Sequence, residues 1–404
     1  MRRPATGRRR ESAERGGNVT DAARRDSRTL TLLVLLGIAN HSVLSGSRVI
    51  VSLDALSRGA SAFTVGVLIA LFALLPMLLA VAAGRLSDRV GTRRPMLIGS
   101  ALNGLGALLP VALPGLPALF VSATLVGLGF MVFQIATQNA TGQLGEPAAR
   151  ARNFSLLALG YSVSGFIGPL VAGFGIDHLG FRAAFALFAL VPLVPLAVLA
   201  RGRLALPGRH VSAGAPHHGG ILALLRHRTL RRVFAINALL SLGWDLHSIF
   251  VPIYGAKIGL SASEIGVVLS SFAAATFTIR FSMPAISRRM DEQQVLTAAL
   301  LLAGGVYLVF PFSTSVAGLL LLSFVLGLGL GSGQPMVMSL LHTHAPPGRI
   351  GEAAGVRMSL VQSMAVAVPL VFGALGASIG IAPVFWSVGA CLVTGGFLAR
   401  RRSR

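Results

Sequence analysis

Long apolar runs separated by short polar breaks recur from about residue 30 to the end of the chain. Twelve of them approach or exceed the roughly 20 residues that a helix needs to cross a bilayer. They lie at about 30–53, 62–83, 95–113, 116–141, 153–175, 182–200, 233–254, 262–284, 293–312, 316–341, 353–376 and 382–399. The longest break, 201–232, holds Pro207, Gly208, Gly214, Pro216, Gly219 and Gly220 and reads as a linker. The pattern predicts an all-α integral membrane protein with twelve transmembrane helices. Its expected divisions are a disordered basic tail over 1–28, a six-helix bundle over 29–200, the linker over 201–232, a second six-helix bundle over 233–399, and a basic tail over 400–404. The run at 30–53 is too long for a signal peptide and lacks a small-residue cleavage pattern.

The two bundles are copies of one another. Shifted by 200 residues, Gly59, Ser61, Ala62, Gly66, Phe72 and Ala73 fall on Gly259, Ser261, Ala262, Gly266, Phe272 and Ala273. Gly127, Gly129 and Gln134 fall on Gly327, Gly329 and Gln334, and Pro169 with Gly173 falls on Pro369 with Gly373. Shared leucines would mean little in so apolar a chain. Shared Gly, Pro and Gln at one offset point to an internal duplication.

Composition agrees: 54% of the residues are hydrophobic and 12% are charged, too apolar for a soluble domain. The net charge of +22 could suggest nucleic-acid binding, but most of the 35 basic residues fall in the tails and in alternate breaks between spans. That is the positive-inside distribution. It places both termini in the cytoplasm of a multi-pass protein, expected in the bacterial inner membrane and monomeric, with a lipid bilayer and no nucleic acid as its partner. A lone cysteine, Cys391, excludes a disulfide framework, and the single lysine, Lys257, sits in no phosphate-binding loop pattern.

The stretch Gly84-Arg85-Leu86-Ser87-Asp88-Arg89-Val90-Gly91-Thr92-Arg93-Arg94 packs four arginines and one carboxylate between two apolar runs. Such a charged turn belongs at an aqueous face. It resembles the signature between the second and third spans of the major facilitator superfamily, G-x-L-a-D-r-x-G-r-k, matched by Gly84, Leu86, Asp88, Arg89, Gly91 and Arg93. Thr92 departs from it where a basic residue is usual, and Arg94 follows. The resemblance implies two rocking six-helix halves and a latch at this cytoplasmic turn. It also implies a central cavity lined by the first, fourth, seventh and tenth spans. Gly165, Gly168, Pro169 and Gly173 are similar to the family's fifth-span element, best known in antiporters, with Ala172 in place of one glycine. Tight helix packing by small residues is the alternative reading of that element.

Ionisable groups inside spans mark function by default. Of the acids, only Asp245 falls near mid-membrane, about twelve residues or roughly 18 Å into the seventh span. A lone carboxyl group in low-dielectric surroundings can load and release a proton near neutral pH, which makes Asp245 the candidate proton-coupling site. A structural carboxylate satisfied by a nearby Arg or His is the alternative. His41 and His247 are candidate proton relays or packing residues. Asn40, Arg48, Gln134, Trp244, Gln334 and Arg357 are candidate substrate contacts. Arginine grips carboxylate or phosphate with two parallel hydrogen bonds. Arg280 and Arg48 could instead reach toward the nearest interface. No nucleophile–base motif or metal-ligand spacing is present, so no enzyme, cofactor or metal is expected. The sequence reading is a secondary transporter moving a small organic solute by alternating access, with proton-coupled export by antiport preferred. Proton-linked uptake or exchange of an organic anion is the alternative, and a non-transporting receptor or scaffold on the same fold is a third reading.

Overall fold

The computed structural model describes residues 6–145, 150–202, 204, 206, 226–344 and 350–400. Its helices are α1 (Thr6–Ser57), α2 (Ala62–Val90), α3 (Arg93–Ala112), α4 (Leu116–Gln143), α5 (Arg150–Leu190), α6 (Leu193–Ala200), α7 (Arg228–Lys257), α8 (Ala262–Ile286), α9 (Glu292–Val309), α10 (Val316–His344), α11 (Ile350–Ile379) and α12 (Ile381–Arg400). Among the described residues, eleven stretches are long and apolar enough to cross a membrane, and one of them, Asn153–Ala200, is 48 residues long. That stretch is two spans. Gly180 interrupts α5 at φ 80°, ψ 169°, a conformation that glycine reaches without steric cost. The limb beyond it, with α6, makes the sixth span. Large apolar side chains such as Leu78, Leu105, Val194, Leu321 and Phe397 stand exposed on the outside, as a lipid-facing surface requires.

Two boundaries differ from the sequence expectation. α1 begins at Thr6, so residues 6–28, expected as a disordered tail, are helical. Extending an existing helix adds one hydrogen bond for each residue fixed, and residues 6–28 contain no proline to stop it. α2 runs on to Val90, which makes most of the 84–94 stretch helical and shrinks the turn to Gly91 (φ 79°) and Thr92. Most of the central linker, with His210, His217 and His218, lies outside the described residues.

The duplication is visible in backbone geometry. Gly59 and Gly259 both take positive φ, 78° and 84°, as do Gly180 and Gly380, 80° and 89°. Ser61 and Ser261 each cap the helix that follows, accepting a hydrogen bond from the backbone N–H of Thr64 or Glu264 at 3.2 Å. Asp291 caps α9 in the same way, with Gln294 completing the reciprocal pair.

The halves meet along two equivalent seams, α2 against α11 and α5 against α8. A Cβ at Gly66 would collide with the backbone carbonyl of Pro369, and one at Gly266 with that of Pro169. Gly173 approaches Ala262 and Gly373 approaches Ala62 in matching fashion. Gly168 packs on Ser45 and Gly46 of α1, and Gly165 faces Ala273. The fifth-span small residues are therefore packing surfaces. Within each half, Gly127 lies against the Phe72 carbonyl and Gly327 against that of Phe272.

One seam carries an extra lock. Asp177, at the end of the first limb of α5, accepts hydrogen bonds from the backbone N–H groups of Ala262 (3.1 Å) and Ser263 (2.7 Å) in the other half. It satisfies two of the donors left open at the start of α8. Other hydrogen bonds described between the halves lie nearer mid-depth: Ser270 Oγ to the Phe166 carbonyl at 2.8 Å and Arg280 Nη1 to Ser162 Oγ at 2.9 Å. α4 and α10 make no substantial contact across the centre. Among the described residues, the hydrogen bonds recorded between the halves thus lie at the Asp177 end and nearer mid-depth.

Gly127→Val should lower stability by about 1–3 kcal/mol through overpacking, read as a lower melting temperature in detergent. Gly305→Ala, where a Cβ meets nothing within 4 Å, should be neutral or slightly stabilising. Asp177→Ala should loosen the lock. In a Cys391→Ser background with spin labels at Leu179 and Lys257, the distance distribution should gain a longer component; an unchanged distribution would show that the carboxylate does not hold this end shut.

Candidate functional site

A cavity of about 380 Å³ lies between the halves at mid-depth, within the usual range for small-molecule sites. Helical spacing delivers its walls. His41, Ser45 and Arg48 recur at i, i+4 and i+7 on α1, Gln134 and Gln138 at i, i+4 on α4, and Phe272, Thr276 and Arg280 at i, i+4 and i+8 on α8. Trp244, His247 and Ser248 enter from α7, Tyr161 and Ser162 from α5, Gln334 from α10, and Arg357 and Met358 from α11. Both bundles contribute to its wall.

The histidines are held on the walls. His41 Nδ1 lies 2.6 Å from Ser164 Oγ, and its ring packs against Phe130 and Tyr161 at centroid distances of 5.0 and 5.1 Å. His247 Nε2 lies 3.1 Å from Ser323 Oγ, and its ring stacks on Phe272 at 4.2 Å. Trp244 meets Phe272 edge-on at 4.8 Å. Together they form an aromatic floor.

The arginines are partnered very differently. Arg280 is anchored: Nη1 donates to Ser162 Oγ (2.9 Å), Nη2 donates to Gln334 Oε1 (3.1 Å), and the guanidinium lies 6.0 Å over the Trp244 ring. It does not reach for an interface. Arg48 sits 5.7 Å over the Phe72 ring, and its Nε is buried without a hydrogen-bond partner. The Nε of Arg357 is also buried and unpartnered. Asp54 with Arg58, at 2.8 Å, is the ion pair recorded among the described residues, and it lies away from the cavity.

Asp245 is half-buried on the α7 face beside the cavity wall. No hydrogen bond to its carboxylate is recorded among the described residues, yet it lies within electrostatic reach of Arg48 on α1. It does not pair with Arg357.

Not every sequence candidate reaches this site. Asn40 is fully buried against α3, donating to Ser100 Oγ (3.2 Å) and accepting from Asn103 Nδ2 (3.0 Å). It is a helix-packing amide, because its position on α1 turns it away from the stripe of His41, Ser45 and Arg48. Gln334 lines the cavity but serves Arg280. Of the 84–94 signature, Leu86, Arg89 and Arg94 are exposed, and Arg93 ties α3 to the end of α6 through the carbonyls of Leu199 and Ala200; the side chains of Arg85 and Asp88 lie outside the description. Tyr161, Ser162 and Gln138 were missed from the sequence. Gln138 could have been found from its spacing to Gln134, whereas nothing distinguishes Tyr161 and Ser162 from packing residues. Among the described residues, no group of three His, Cys, Asp or Glu side chains could hold a metal ion.

Comparison with known proteins identifies the architecture. The sequence pattern of the Major Facilitator Superfamily matches residues 30–369, and a second match starts afresh at the second half, 233–404. The chain is 27% identical over 346 residues to the class G tetracycline resistance protein of Vibrio anguillarum, covering 81% of this chain and 84% of that one. It is 25% identical over 359 residues to the multidrug efflux pump Tap of Mycobacterium tuberculosis, covering 81% and 82%. Among solved structures, a peptide transporter POT in complex with sulfate aligns with a TM-score of 0.76 at 18% identity, over 92% of this chain and 93% of that one. A bacterial homologue of the human lysosomal transporter Spinster, in an inward-facing and unoccupied conformation, aligns with a TM-score of 0.75 at 14% identity, over 93% and 97%. These structural likenesses speak to the fold. With its duplicated bundles around a shared cavity and a family match over most of its length, the chain belongs to the major facilitator superfamily and is a membrane transporter, not an enzyme.

Proposed function

We propose that the protein exports a small amphipathic organic solute by alternating access, driven by protons moving inward. The observation that carries this reading is a cavity shared by both halves, beside which one carboxylate, Asp245, stands without a hydrogen bond within reach of Arg48. The basic distribution favours a cytoplasmic location for the end bearing Arg89, Arg93 and Arg94, the end away from the Asp177 lock, so solute would enter from the cytoplasm there. Export is favoured by the relatives, a tetracycline resistance protein and a multidrug efflux pump, each matched over about four-fifths of its length.

In the proposed cycle, rocking about the two glycine seams exchanges access between the membrane faces. Asp245 takes a proton when the cavity faces outward and releases it when the cavity faces the cytoplasm. Protonation removes its attraction for Arg48, which changes the balance of contacts between α7 and α1, one in each half. His41 and His247 line the same space and can pass the proton to water. The 84–94 signature latches the cytoplasmic end when the halves swing the other way.

In inside-out vesicles, acidifying the lumen should drive accumulation of labelled solute, with tetracycline the first probe of a panel. Asp245→Asn should abolish this accumulation yet leave exchange of labelled for unlabelled solute intact, because exchange needs no net proton movement. Gradient-driven accumulation that survives the substitution would remove Asp245 from coupling. Accumulation only under the opposite gradient would reverse the direction.

A further inference from the structure

Among the described residues, the cavity carries more positive charge than is neutralised. Arg48, Arg280 and Arg357 all line it, and among the described acidic side chains Asp245 is the one that lies within electrostatic reach of one of these arginines, Arg48. Guanidinium groups in a low-dielectric space are costly unless each is hydrogen-bonded or paired. Asp245 answers Arg48. Among the described residues nothing answers Arg357, whose Nε is buried and unpartnered. Arg280 has neutral acceptors only, Ser162 and Gln334, which use two of its five N–H donors and fix the orientation of its fork.

We propose that the transported solute is an amphipathic organic carboxylate. Its anionic group sits between Arg280 and Arg357, and its apolar body lies on Trp244 and Phe272. The proposal rests on the transport reading above and adds the chemistry of the cargo. A carboxylate offers two oxygens in a plane, the arrangement a guanidinium fork matches. Ser162 and Gln334 hold one fork rigid, so little order is lost on binding. Trp244 beneath Arg280 and the Phe272 ring set edge-on to it, 4.8 Å between centroids, give an apolar body an aromatic corner to pack into. Arg48 is left to Asp245, so anion and proton occupy different groups. Arg280 also bridges the halves through Ser162 on α5, and an anion drawn to it competes with a contact that holds the seam at mid-depth.

The test is an equilibrium binding experiment on the detergent-purified full-length protein, without transport. The probes are 2-naphthoate, the neutral 2-naphthamide and the cationic 2-(aminomethyl)naphthalene, measured by titration calorimetry and by thermal shift. Naphthoate should bind saturably and the other two at least about tenfold more weakly. Arg280→Gln and Arg357→Gln should each weaken naphthoate roughly 10- to 100-fold, the size of a lost charge-assisted hydrogen bond. Arg357→Lys, which keeps the charge, guards against a variant that fails to fold and should fall between. The protein has two tryptophans. In Trp386→Phe, where the removed ring is exposed and does not line the cavity, naphthoate should still perturb the remaining Trp244 signal. Equal binding of acid and amide, no saturable naphthoate binding, or unchanged affinity in both glutamine variants would overturn the proposal. Selective binding without proton-driven flux would sink the transport cycle and leave this site standing; proton-driven flux without charge selectivity would do the reverse.

Discussion

The structure depends on how closely two helix backbones can approach inside a bilayer. Between lipid-embedded helices there is no hydrophobic driving force, because lipid is as apolar as leucine. What holds the halves is close contact, and close contact needs the missing Cβ. Gly66 against the Pro369 carbonyl and Gly266 against that of Pro169 are two copies of one solution. In each copy the carbonyl that the glycine meets belongs to a proline inside a helix, Pro369 of α11 and Pro169 of α5. With the seams fixed at that distance, the spans lying between them cannot close on each other. The cavity is the space that remains.

This explains why so much of the fold could be read in advance. Spans are written as long apolar runs, and a duplication is written as Gly, Pro and Gln recurring at one offset. Backbone constraints of that kind, such as the positive φ shared by Gly59 and Gly259, leave an imprint in residue type. The site was legible only in part. Asp245, Arg48, His41 and Trp244 were conspicuous as polar or bulky groups at depth. Asn40 was equally conspicuous and lies on another face of the same helix, since one residue of register turns a side chain by about 100°. Depth can be counted along a sequence, but which face a helix turns inward is settled by its neighbours. The same limit hid the Ser162 and Gln334 cradle around Arg280, which joins residues 118 and 54 positions away from it. At the other end of the signature motif, the extension of α2 to Val90 shows how a string that reads as a loop can be a helix with charged faces.

The polar groups of the cavity divide by partnership. His41 and His247 are tethered by serines and packed against rings. Arg280 is tethered and aimed. For Arg357, Arg48 and Asp245 no hydrogen bond is recorded among the described residues. Groups in the first set give the cavity its shape, and those in the last hold interaction energy that the protein leaves unspent in this state. A transporter needs both, since rigid walls confer selectivity and unsatisfied charges give a ligand or a proton something to change.

The duplication is imperfect at one telling place. Asp177 closes the α5–α8 seam by capping a helix across the gap, whereas the matching position in the second half is Ala377, and the α2–α11 seam has no carboxylate to cap α2. The two hinges of a symmetric body are thus fastened unequally. Opening need not be a straight separation. It can begin as a swing, with the side that lacks the acid giving way while the capped side acts as the post. Two identical halves would leave the proposed motion without a preferred side, and the aspartate at the α5–α8 seam breaks that equivalence.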